Sequence, residues 1–91
     1  MASASALESL VGHVIVFDLT SRFVILGTYR GTDGPYYIVE NADVHDLRDA
    51  TTTRDLYVID AKRHGVNCNR QRVLVRCDGV VGISRLEDVI E

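Results

Sequence analysis

The chain has 91 residues, 46% of them hydrophobic and 25% charged, with a formal net charge of -3. These values are typical of one globular domain, and they argue against a disordered or fibrous chain and against bulk electrostatic coating of nucleic acid. The longest apolar runs fall far short of the roughly 20 residues that cross a bilayer, so no membrane partner is expected. Because a domain of this size buries only about 60% of its unfolded surface, partner subunits are expected to add stability.

Short elements are predicted along the first half of the chain. Residues 4–10 predict a short N-terminal helix that Ser3 or Ser5 caps and Gly12 ends. Residues 13–19 and 22–30 are rich in β-branched and aromatic side chains and predict two strands separated by a turn. Gly27 lies inside the second strand, where an interior glycine usually marks a bend or a close backbone approach.

The second half of the chain is predicted from its turn residues and apolar runs. A turn at 31–35 precedes a third strand at 36–44, and residues 46–55 predict a solvated loop. Residues 56–59 fit a strand and residues 62–69 a further loop. Two last strands at 71–76 and 80–84 flank a tight turn at 77–79. A short helix followed by five or six short strands predicts a mostly β fold, a small bent barrel.

Two segments carry a resemblance to a known family. Residues 27–33 read GTYRGTD and residues 73–83 read VLVRCDGVVGI. In this order, with a leucine-bearing helix before them, they resemble the two motifs of the Sm/Lsm proteins. The resemblance implies a single domain over residues 1–91, with a first motif at 7–45, an expanded loop at 46–70 and a second motif at 71–84. The implied fold is a strongly bent five-stranded barrel of the SH3 type.

The resemblance also implies a mode of assembly. Sm/Lsm domains join edge to edge, the fourth strand of one subunit pairing with the fifth strand of the next, in a ring or partial ring. We therefore expect other Sm/Lsm-like subunits as partners. The predicted interface residues are those of the last two strands: Val73, Leu74, Val75, Val80, Val81 and Ile83.

In RNA-binding members of the family, a stacked aromatic side chain, a base-reading asparagine and an arginine line the hole of the ring. Tyr36 falls at the stacking position and Arg76 at the arginine position, whereas Tyr37 replaces the asparagine and Cys77 replaces a glycine. The predicted RNA-binding residues are Asp33, Tyr36, Tyr37, Arg76 and Asp78. A predicted basic loop, which would contact phosphates or an acidic partner, contains Lys62, Arg63, Arg70 and Arg72.

These expectations lead to two hypotheses of function. The first is a nuclear or cytoplasmic subunit of a hetero-oligomeric ribonucleoprotein complex, acting in pre-mRNA splicing or mRNA decay and contacting uridine-rich RNA. The second is a protein-only adaptor, such as a small subunit of a larger enzyme complex, because Tyr37, Cys77 and Gly79 replace RNA-facing residues of the family.

No catalytic, metal or cofactor site is predicted. His64 and Cys68 stand four residues apart, but no close cysteine pair anchors a zinc site. Asp43, Asp46 and Asp49 recur at every third position and most simply form a solvated face. Cys77 has no histidine and acid arranged around it for nucleophilic chemistry, and without a signal peptide in view both cysteines are expected to be reduced thiols. The chain is therefore not expected to be an enzyme.

Overall fold

The computed structural model describes residues 5–49 and 52–91, which form one antiparallel sheet with a helix packed on it. The strand order across the sheet is β4-β3-β2-β1-β5. Short 3-10 turns lie at Glu8–Leu10, Leu47–Asp49, Cys77–Gly79 and Leu86–Asp88. The strands are β1 Val14–Leu19, β2 Phe23–Asp33, β3 Tyr36–Asp46, β4 Arg70–Arg76 and β5 Val80–Arg85, and the helix is α1 Arg54–His64.

The sheet is strongly curled, and chain geometry shows why. The first and last strands of the order, β4 and β5, are joined by a single 3-10 turn, Cys77–Gly79. Such a link reaches about 14 Å, whereas the edges of a flat five-stranded sheet lie about 19 Å apart. The sheet must therefore bend until its two edges approach each other.

The predicted five bent strands are confirmed, but the barrel is not closed. In the described residues, β4 pairs only with β3 and β5 pairs only with β1. The 3-10 turn between them separates two extended residues instead of forming a two-residue hairpin, so β4 and β5 do not exchange hydrogen bonds with each other. The result is a bent open sheet with two free edges.

Gly27 allows β2 and β3 to approach closely at the bend. A Cβ atom at this position would lie 2.6 Å from Cγ1 of Val39 and 3.0 Å from Cα of Ala42. The β2–β3 register also shifts between Leu26 and Thr28. The prediction that this glycine marks a close backbone approach is confirmed.

Both faces of the central strands are buried. Alternate residues of β1 point to opposite sides, so Phe17 joins an inner cluster inside the curl while Val16 joins an outer cluster. The outer cluster is covered by α1 and by the turn at Leu86–Asp88. Its buried members are Val16, Val24, Leu26, Val58, Ala61 and Leu86.

The helix α1 corrects two predictions for the middle of the chain. Residues 56–59 are not a strand, and the predicted loop 46–70 contains three turns of helix instead. Thr53 caps the helix by accepting a hydrogen bond from the Leu56 amide at 3.2 Å, and Gly65, with φ +96°, ends it. The segment is helical because Val58 and Ala61, three residues apart, both face the outer cluster.

The N-terminal segment contains one 3-10 turn in place of the predicted helix. Ser5 and Glu8 exchange hydrogen bonds, each side chain accepting from the other residue's amide at 3.0 and 3.3 Å, which is a capping box. Leu7 and Leu10 then pack on the inner cluster. The other proposed cap, Ser3, lies outside the described residues.

Candidate assembly edges and nucleic-acid interface

The free edge at β4 exposes one face of that strand. Leu74 is 50% exposed, and the arginines at 70, 72 and 76 are exposed as well. Val73 packs against the inner cluster and Val75, only 5% exposed, belongs to it. Strand alternation turns the Val75 side chain inward, so only its backbone lies at the edge, and its place in a subunit interface stays a prediction.

The free edge at β5 exposes a single apolar side chain. Val81 is 67% exposed, whereas Val80 and Ile83 pack against the inner cluster. Of the predicted interface side chains, Leu74 and Val81 are the two that a neighbouring chain can bury to a large extent. The other four, Val73, Val75, Val80 and Ile83, offer mainly backbone groups at the edges.

Four of the predicted RNA-binding residues meet at one end of the sheet. Tyr36 pairs with Asp33 across the β2–β3 turn and with Arg76 across β3 and β4. The Arg76 guanidinium carbon lies 5.9 Å from the centre of the Tyr36 ring, within cation–π range. Asp78 accepts a hydrogen bond from Arg76 at 2.9 Å, and this hydrogen bond raises the pKa of the guanidinium.

Tyr37 is the exception, since its ring packs in the inner cluster. The ring centre lies 5.7 Å from that of Phe17 and 6.0 Å from that of Tyr29. Burial, followed by the neighbouring Cys77 thiol, raises the pKa of Tyr37. Successive residues of β3 point to opposite faces, so the Tyr37 ring lies on the inner side and Tyr36 on the outer side. An RNA contact by Tyr37 stays a prediction.

The predicted basic loop is divided between two elements. Lys62 and Arg63 lie in the last turn of α1, where Lys62 donates to the Val89 carbonyl and Arg63 pairs with Glu91. Cations are favoured there by the carbonyl end of the helix dipole. Arg70 and Arg72 instead belong to β4, the edge strand, so the four residues form no single loop.

A buried polar cluster holds α1 to β3, and the sequence did not reveal it. Asp43 is 2% exposed and accepts hydrogen bonds from the Tyr57 hydroxyl and from the Asn69 amide, the latter at 3.3 Å. The His45 ring stacks on Tyr57 with centres 3.8 Å apart. Burial and Asp43 raise the pKa of Tyr57. Asp43 is thus not part of a solvated face; its partner was missed because residues 56–59 were assigned to a strand.

Other kinds of site find little support in the described part of the chain. No group of three or more His, Cys, Asp or Glu side chains in residues 5–49 and 52–91 is arranged to hold a metal ion. Cys68 and Cys77 are free thiols. Within the same residues, no helix combines the length and apolarity needed to cross a membrane.

Known structures share this architecture. An Sm protein of Pyrococcus abyssii in complex with a uridine heptamer is 16% identical with a TM-score of 0.59, over 87% of this chain and 90% of that chain. A heptameric archaeal Sm protein is 22% identical with a TM-score of 0.59, over 90% of this chain and 97% of that chain. These matches define the class of protein by its fold.

A third similar structure comes from a different kind of complex. A chain in the NatC complex bound to CoA is 13% identical with a TM-score of 0.59, over 97% of this chain and 94% of that chain. No protein-family model matches the sequence, and no curated protein matches it. The chain is therefore a divergent protein of the Sm fold, and Sm-fold chains occur both in RNA-bound rings and in other complexes.

Proposed function

We propose that this protein is a subunit of a hetero-oligomeric assembly in which neighbouring chains pair with β4 and β5. The carrying observation is the pair of free sheet edges, each with an exposed apolar side chain, Leu74 and Val81. An unpaired edge can recruit another strand, and charged side chains along it, such as the exposed arginines of β4, restrict which strand can pair there. The subunit acts through assembly and has no catalytic role of its own.

Within this class, we propose a protein-only auxiliary subunit as the function that the geometry supports best. The position expected to read a base carries Tyr37, whose ring is taken up by the inner cluster. The cationic Arg76, which would face RNA, is already paired with Asp78. Both features reduce the surface available to a nucleotide. The similarity to a chain of the NatC complex supports the same proposal, because that chain shares the fold over nearly its whole length.

The role of the two free edges in assembly can be tested by introducing charged side chains there. Leu74→Glu places a negative charge among the arginines of β4 and Val81→Lys places a cation at β5, and a charged side chain introduced at an apolar edge position opposes strand pairing. The matched control is Leu56→Lys, at an apolar residue that is 56% exposed on α1. Tagged protein is purified from its own cells, and its size is measured by light scattering with mass spectrometry of the bound chains.

We expect each edge variant to lose one set of neighbours while Leu56→Lys keeps the whole assembly. Each variant is first checked for folding by circular dichroism. If the original protein and all three variants elute as the same monomer, assembly through the edges is wrong.

A second candidate function rests on the end of the sheet where Tyr36 and Arg76 meet. Their contact offers a stacking surface for a base with a cation beside it, worth about 1 to 3 kcal/mol per stacked base. In this alternative the protein is an Lsm-like subunit in the nucleus or cytoplasm, acting on uridine-rich RNA in splicing or mRNA decay. The uridine heptamer bound to an archaeal Sm protein of the same fold supports it.

Crosslinking in cells distinguishes the two candidates. The ribonucleoprotein candidate predicts that ultraviolet crosslinks to RNA map to Tyr36 or Arg76 and disappear in Tyr36→Ala. The auxiliary-subunit candidate predicts that the assembly purifies without RNA and that Tyr36→Ala leaves its protein composition unchanged.

A further inference from the structure

The exposed face of β4 carries an arginine strip, which we define as Arg70, Arg72 and Arg76 together with Leu74. These residues occupy alternate positions of one edge strand, and all four are exposed. Side chains two residues apart on a strand lie about 7 Å from one another, which is also the spacing of alternate side chains on a strand paired beside it. The side-chain spacing along the arginine strip therefore equals the side-chain spacing of a strand paired beside it.

The positive charge of the arginine strip is only partly neutralised within the chain. Arg76 forms an ion pair with Asp78 at 2.9 Å. Glu40 is shared between two guanidiniums, accepting from Arg72 at 2.7 Å and from Arg30 at 3.1 Å. Arg70 donates to the Asn69 carbonyl and, among the described residues, has no carboxylate within ion-pair distance. A chain with a net charge of -3 therefore keeps an excess of positive charge along one free edge.

A second copy of this chain does not supply the complementary charge. Its other free edge, β5, places Gly82 and Ser84 beside Asp18 and Val16 of β1. Neither Gly82 nor Ser84 is acidic. Asp18, which pairs with Gly82 across β1 and β5, already forms an ion pair with Arg54 at 3.8 Å. In head-to-tail pairing of identical chains, the β5 positions beside the arginine strip would therefore carry no acidic side chain.

We propose that the strand pairing with β4 belongs to a different protein and carries acidic side chains at alternate positions, beside the arginine strip. This inference rests on the proposed function and adds the chemistry of one neighbour. Opposite charges directly across a strand pair stabilise it, and like charges destabilise it. Nucleic acid is the less favoured occupant, because half-exposed Leu74 lies in the middle of the strip and a phosphate backbone has no apolar group to cover it.

Strand peptides provide the test. The probe is a fluorescent peptide of alternating glutamate and threonine with one central valine on the acidic face, titrated with the full chain at low and high salt. Three comparison probes are used: the same peptide with lysine for glutamate, the acidic peptide with alternate backbone nitrogens methylated, and oligouridine. N-methylation removes the amide donors that a paired strand needs while keeping the charges.

The acidic peptide is expected to bind, to weaken as salt rises, and to lose binding on N-methylation. Arg70→Glu should weaken it about tenfold and improve binding of the lysine peptide. Arg63→Glu on α1 makes the same change in net charge away from the edge, and it should leave both affinities unchanged.

Several results would overturn the inference. Equal binding of the acidic and lysine peptides, or binding by neither, refutes the charge complementarity even if the edge variants at Leu74 and Val81 still disrupt the native assembly. Displacement of the acidic peptide by oligouridine, with equal sensitivity to Arg70→Glu, would assign the strip to nucleic acid. Salt-dependent self-association of the chain, lost in Arg70→Glu, would assign it to a second copy.

Discussion

At the scale of single residues, Gly27 shows how little space separates β2 from β3 at the bend. Gly27→Ala is expected to lower the free energy of unfolding by about 1 to 3 kcal/mol, because the new methyl group would overlap the Val39 side chain and crowd two backbone atoms. Gly82→Ala is the matched control, since a Cβ there meets Asp18 at an ordinary 3.7 Å. Urea unfolding of both variants measures the difference, and equal stabilities would contradict the close approach.

The buried hydrogen bond between Tyr57 and Asp43 gives a second prediction. Tyr57→Phe keeps the ring that stacks on His45 but removes the hydroxyl donor from a buried carboxylate. A buried acceptor that loses a partner costs about 1 to 3 kcal/mol, so unfolding in urea should occur at lower concentration. Asp43→Asn combined with Tyr57→Phe should cost less than the sum of the two changes, and full additivity would mean that the two side chains do not interact.

The positions of residues were predictable where a motif fixed them. Asp33, Tyr36 and Arg76 were placed by the two motifs, and the structure brings them together. Tyr37 and Asp43 were not, because motif position alone does not say which face of a strand a side chain occupies. Their environments depend on the inner cluster and on α1, contacts between residues far apart in the chain.

At the scale of elements, α1 is the helix that hydrophobic periodicity could not reveal. Its residues are mostly polar or exposed, and Val58 and Ala61 are its only buried side chains. The run Leu56–Ile59 therefore had the short apolar appearance of a strand. The strands were predictable because β-branched runs separated by glycine and aspartate turns leave few alternatives.

The N-cap of α1 gives a prediction for this element. Thr53→Ala removes the hydroxyl that accepts from the Leu56 amide and should lower the free energy of unfolding by about 1 kcal/mol. Thr52→Ala, one residue earlier, is the control and should have a much smaller effect. Thermal unfolding followed by circular dichroism compares the two, and an equal loss in both would argue against a specific cap.

At the scale of the whole molecule, stability should depend on pH through the ion pairs of Asp46, one of which joins distant segments of the chain. Asp46, at the end of β3, accepts from Arg48 at 2.9 Å and from Arg22 at 3.2 Å. Hydrogen bonding from Arg48 is the main reason why the pKa of Asp46 lies well below its ordinary value of 3.8.

A carboxyl group whose pKa is lowered by folding contributes stability above its unfolded pKa and loses it as the pH falls further. The urea concentration at the midpoint of unfolding should therefore decrease as the pH is lowered below about 4. Asp46→Asn should make this decrease shallower. Asp60→Asn, which removes an exposed carboxylate from α1, should leave the slope unchanged. An identical acid profile for all three proteins would show that Asp46 does not contribute.

The pairing of β1 with β5 has a consequence for folding during synthesis of the chain. Ile15 pairs with Arg85, so β1 receives its second partner from a strand that is synthesised much later than β1 itself. Strand pairing over such a sequence distance forms late in folding. Until β5 has been synthesised, the edge of β1 that pairs with it stays exposed in the nascent chain. In the proposed assembly β5 also pairs with a neighbouring subunit, so a chain that stops before β5 would lack that docking edge. Only a polypeptide that has been synthesised through β5 could then be incorporated on both sides.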